Sequence, residues 1–95
     1  MAPQVTTINA GNSPYTALTT DWSLRCDTTA AGRTINLPAA TNKLFLYFVN
    51  LGTNTCTITP NGTDTIYGVN ASFTVNGTLA SFALVSNGTN GWDLQ

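Results

Sequence analysis

The sequence predicts an all-β domain, a small β-sandwich or jelly-roll-like barrel of about eight short strands. Three observations predict it. Short runs rich in Thr, Val, Ile, Phe and Tyr alternate apolar with polar residues at the strand period. Clusters of Gly, Pro and Asn interrupt those runs at the spacing of all-β chains. No window carries the periodicity of a helix, and no repeat is regular enough to predict a solenoid. At 95 residues the chain has room for one core.

The elements follow in order. Residues 1–14 read as an N-terminal arm or loosely attached strand, because Val5 and Ile8 are the only large apolar residues of Pro3–Asn9, which the Ala10–Pro14 turn follows. Residues 15–95 read as one β domain. Tyr15–Leu18 is short enough for an edge strand. In Trp22–Cys26, Trp22, Leu24 and Cys26 alternate with Ser23 and Arg25, which predicts one buried and one wet face. Arg33–Leu37 alternates likewise until Pro38, which cannot donate to a ladder.

Leu44–Val49 is the longest apolar run. As a strand it places Leu44, Leu46 and Phe48 on one face and Phe45, Tyr47 and Val49 on the other. Both faces need cover. One is the core. Phe45, Tyr47 and Val49 are the candidate subunit interface, against the alternative that a single sandwich buries both faces.

Thr55–Thr59 alternates around Cys56 and Ile58. Asn61-Gly62 is a tight turn, Thr65–Tyr67 a brief strand, and Gly68 a bulge or corner. Phe73–Val75 and Leu79–Val85 flank Asn76-Gly77, which predicts a hairpin between them. Trp92–Leu94 closes the chain.

Composition narrows the function. Only 7% of residues are charged, against about 25% in ordinary domains. A net charge of -1 offers no basic patch for nucleic acid or membrane surfaces. No apolar stretch approaches the roughly 20 residues of a membrane span, and residues 1–5 lack the features of a secretory signal. The expectation is a soluble protein made in the cytosol.

Catalytic chemistry finds little material. The chain has neither His nor Glu, so a Ser or Thr nucleophile lacks its usual base. Asp21, Asp27, Asp64 and Asp93 are scattered, and the first three sit at turns, where a carboxylate bonding nearby backbone explains them better than calcium. No enzyme activity, cofactor or metal is expected. Cys26 and Cys56 lack zinc-ligand spacing and read as buried thiols, with a disulfide as the alternative should their strands be neighbours. Asn61, Asn70, Asn76 and Asn87 fit the glycosylation pattern, but turn chemistry generates it by accident. Tyr15, Tyr67 and Trp92 are the candidate alternative ligand surface, since aromatic faces stack on sugars.

Four blocks in order carry a resemblance: Gly32–Ala40, Leu46–Asn50, Thr57–Gly68 and Leu84–Trp92. From the first block to the last, the match spans about two-thirds of the chain. They resemble a small β-module of tailed-phage surface proteins: tail fibres, head fibres and capsid decoration (cement) proteins. The resemblance implies a homotrimeric structural protein on the virion surface, assembled in the host cytoplasm. A short chain beginning at Met1 fits a decoration protein that bridges subunits of the major capsid protein. The alternative is a receptor- or glycan-binding module of a head or tail fibre, with a host-surface glycan as partner.

Overall fold

The computed structural model describes residues 4–41, 45–78 and 80–94, with only the backbone of Leu94. Leu44, Lys43 and Leu79, which the strand and loop expectations include, lie outside the described residues. The elements are β1 (Gln4–Ile8), β2 (Tyr15–Thr16), β3 (Asp21–Cys26), β4 (Arg33–Asn36), β5 (Phe45–Asn50), β6 (Cys56–Thr59), β7 (Thr65–Ile66), β8 (Phe73–Val75), β9 (Ser81–Ser86) and β10 (Gly91–Leu94). No helix occurs among the described residues. The all-β expectation holds.

The topology differs from a jelly-roll-like barrel. Through β6 the chain alternates between two sheets, each strand lying parallel on the strand two before it. β1, β3 and β5 stack in one sheet, and β2, β4 and β6 in the other. This is solenoid-like stacking, in which a strand of the opposite sheet serves as the crossover that parallel pairing requires. The remaining strands break the pattern: β8 runs antiparallel to β6, and β9 antiparallel to β5. β10 then pairs with β9 and β7. The six-stranded sheet has the order β1-β3-β5-β9-β10-β7, and the four-stranded sheet β2-β4-β6-β8. Asn76-Gly77 therefore does not close a hairpin. Its turn, held by Ala80 N–H on Gly77 C=O at 3.0 Å, carries the chain from one sheet to the other.

The core lies between the sheets. Ile8, Leu24, Leu46, Phe48, Leu84 and Trp92 come from the larger sheet, and Ile35 and Ile58 from the smaller. Phe82 stacks on Phe48 at 5.0 Å and meets Phe73 of the other sheet edge-on at 5.6 Å. Cys26 and Cys56 are buried as their strand positions predict, but they are not free thiols. They form a disulfide that ties β3 to β6 across the core, with Cα atoms 6.4 Å apart. The bond is available because β3 and β6 face each other, a relation that no sequence spacing announces.

Coils stack closely at the corner after β5. Asn50 is buried, accepts from the Thr28 hydroxyl, and donates to Asn54 C=O at 3.0 Å and Val75 C=O at 3.1 Å. Asn54 in turn donates to Thr28 C=O at 2.7 Å. A Cβ on Gly52 would overlap the backbone of Thr28 and Thr29. Gly52→Ala is therefore expected to lower the unfolding free energy by about 3 kcal/mol. Urea titration measures this, and an unchanged midpoint would show that the corner can relax.

Candidate functional site

The central strand β5 sorts its side chains as alternation dictates. Leu46 and Phe48 enter the core, while Phe45, Tyr47 and Val49 face outward on the larger sheet. Tyr47 remains 40% exposed. No layer of the subunit covers this outer face among the described residues, although Phe45 and Val49 are half-buried by their neighbours.

Trp22 joins that face, contrary to the simple alternation of β3. The register between β1 and β3 shifts: Gln4 pairs with Asp21, but Val5 pairs with Ser23. Trp22 is the extra residue of a β-bulge, and a bulge re-aims the side chains around it. Asp21 turns inward and is fully buried, while Trp22 is 42% exposed. The Trp22 ring meets Tyr47 edge-on at 5.0 Å, and Tyr47 meets Phe45 edge-on at 4.6 Å. Each such contact contributes about 0.5–1.5 kcal/mol beyond burial, so the three rings form a pre-ordered ridge. Beside it lies an open groove of about 390 Å³ lined by Phe45, Tyr47, Ser81, Phe82, Ala83 and Val85. Ser81 and the Tyr47 phenol supply the side-chain hydroxyls of that lining.

Asp21 holds the bulge from within. Its Oδ1 accepts from Gln4 Nε2 at 3.0 Å and Thr6 Oγ1 at 2.7 Å. Its Oδ2 accepts from the Tyr15 hydroxyl at 2.6 Å and Leu18 N–H at 2.9 Å. Donors from β1, β2 and the following turn thus converge on one carboxylate. Burial, followed by the bond to Asp21, raises the Tyr15 phenol above its ordinary pKa of 10.0. A raised folded-state value contributes stability that is present below the unfolded value and is lost as pH rises through the folded one.

Comparison with protein-family models and with curated proteins finds no match.

The three aromatic residues of the alternative ligand surface are not brought together. Tyr15 is half-buried on the edge strand β2 of the smaller sheet. Trp92 is 1% exposed and packs in the core. Tyr67 is 71% exposed, on a tight turn where it and Gly68 both have positive φ, at 55° and 82°. Ile66 and Val69 close that turn with reciprocal backbone bonds of 2.8 and 3.1 Å. Among the described residues no three His, Cys, Asp or Glu side chains converge as metal ligands would.

The turn residues act as braces, most of them local and one, Asp64, across 24 residues of sequence. Asp27 accepts from Thr29 N–H at 3.2 Å, and Asp64 accepts from Ala40 N–H at 2.9 Å. Asn87 Oδ1 accepts from the backbone N–H groups of Thr89, Asn90 and Gly91. Asn70 donates to the carbonyls of Gly62 and Asp64. The density of Asn in this chain thus has a structural account at several turns and in the buried Asn50 corner.

Proposed function

We propose that this chain is a structural protein of the virion surface, a homotrimeric capsid decoration protein that stabilises a phage head by bridging capsid subunits. The observation that carries the proposal is the aromatic ridge of Trp22, Phe45 and Tyr47 on the larger sheet, whose Trp22 and Tyr47 rings no layer of the described residues covers. Exposed apolar clusters of this kind mark interaction surfaces. The ordered blocks of the phage surface module support the same reading. The mechanism is mechanical. A trimer seated across neighbouring shell subunits adds contacts that must break before the shell opens, and closed symmetry presents equivalent patches to equivalent subunits.

The fibre-module alternative predicts a different partner, a host-surface glycan. A sugar needs several hydrogen-bonding groups beside an aromatic face, and the groove beside Tyr47 offers the side-chain hydroxyls of Tyr47 and Ser81 among mainly apolar neighbours. Co-sedimentation with purified heads of the phage that carries the gene, together with no binding on a glycan array, supports the decoration role. Glycan binding without capsid binding would replace it.

Self-association has its own test. Tyr47→Arg puts a charge at the middle of the ridge while leaving the core untouched. Association is expected to weaken by at least about 30-fold, the effect of losing a contact worth about 2 kcal/mol, with the thermal midpoint of the subunit nearly unchanged. Sedimentation velocity across a concentration series measures it. Equal association of the variant and the wild type would remove this face from the interface.

A further inference from the structure

We infer that Arg25 of one protomer pairs with Asp93 of the next across the outer face of the larger sheet. The inference rests on the self-association proposed above and names the contact that sets its register.

The charges of the chain are few, and the structure accounts for most of them. The sequence holds three cationic and four acidic residues, of which all but Lys43 are described. Asp21 sits inside its network of donors. Asp64 braces Ala40, and Asp27 braces Thr29. Arg33 donates from Nε to Asp27 C=O at 2.9 Å. Arg25 and Asp93 remain. Both are exposed, and neither has a hydrogen bond or ion pair with the described residues.

Their positions are informative because both lie on the face that carries the ridge. Arg25 pairs in register with Val49, which shares the outer side of β5 with Tyr47. Asp93 pairs with Val85, which pairs with Phe45. Relative to Tyr47, Arg25 is therefore one strand to one side and one same-face step toward the end of β5. Asp93 is two strands to the other side and one same-face step toward its start. Strand spacing and rise put the two about 20 Å apart, with Tyr47 and Ala83 between them.

Opposite charges at opposite corners of an apolar face make that face complementary to a copy of itself. A partner carrying charge of one sign would satisfy one corner and oppose the other. An axis running diagonally past Tyr47 leaves Arg25 and Asp93 on opposite flanks. Rotation about such an axis brings the Arg25 flank of one copy to the Asp93 flank of the next. Shifted registers leave both charges unpaired or bring like charges together, which disfavours them.

A charge-swap series tests the pair, read as the dissociation constant by sedimentation. Both side chains are exposed, so circular dichroism is expected to show folded variants. Arg25→Asp alone and Asp93→Arg alone are each expected to weaken association by about 10-fold or more, and the double swap to restore it to within about 3-fold of wild type. Single variants that assemble like wild type, or a double swap no better than the singles, would overturn the pairing while leaving self-association standing. A wild-type chain that stays monomeric at 100-fold higher concentration than the assay range would remove the pairing and the self-association together.

Discussion

Asp21→Ala is expected to lower the unfolding free energy by about 3–5 kcal/mol, the range for breaking a buried charged network by deleting one member. In a chain of this size that corresponds to a fall in Tm of roughly 15–25 °C. The substitution strands the Tyr15 hydroxyl and Leu18 N–H, which share Oδ2, and Thr6 and Gln4, which share Oδ1. Asp21→Asn is expected to cost less, about 2 kcal/mol, because one oxygen still accepts while the amide turns donors toward donors. The consequence reaches the outer face. Asp21 turns inward and Trp22 outward at one bulge, so losing the carboxylate frees the ring that abuts Tyr47. Differential scanning calorimetry and the Trp emission spectrum report the two effects. A Tm within 2 °C of wild type would show that the bulge is held by something other than this network.

Removing the Cys26–Cys56 disulfide is expected to cost about 3–4 kcal/mol, the chain-entropy value for a closure spanning 30 residues. The expected fall in Tm is roughly 15–20 °C. Cys26→Ala paired with Cys56→Ala measures it without a reductant, and reduction of the wild type should match after local opening exposes the bond. Both sulfurs are buried, at 1% and 2% residue exposure, so reduction of the folded protein should be slow. An oxidised and a reduced form that melt together would mean the bond adds no constraint that the stacked strands lack.

Much of the fold is legible in the sequence at the level of single strands. Alternation places β3, β4, β5 and β6 within a residue or so, because a half-buried strand must alternate. What alternation cannot show is which strands become neighbours. The coils here differ in length: Val5, Ser23 and Tyr47 stack in one column, and Tyr15, Ile35 and Ile58 in the other. Unequal coils leave no fixed period to find, and the Asn61-Gly62 and Asn76-Gly77 turns carry the chain between sheets, whereas Asn87-Gly88 lies in the hairpin of β9 and β10. The disulfide follows from that same hidden topology.

The outer face was partly legible. Two apolar sides on Leu44–Val49 point to a second surface needing cover, and Phe45, Tyr47 and Val49 do lie together on it. Trp22 belongs to that surface only because the chain bulges at Asp21, and an Asp before an alternating run carries no such signal. Trp92 shows the converse. Gly91 and the nearby chain end suggest exposure, yet pairing with both β9 and β7 draws its indole into the core. Arg25 and Asp93 acquire meaning only from ladder register, since nothing in their sequence positions relates them.

The central claim is that the aromatic ridge on the larger sheet meets copies of itself. Sedimentation equilibrium of the purified chain at micromolar concentration tests it most directly. The account predicts a particle of three times the 10.0 kDa chain mass. A monomer that persists on concentration to the millimolar range would contradict it.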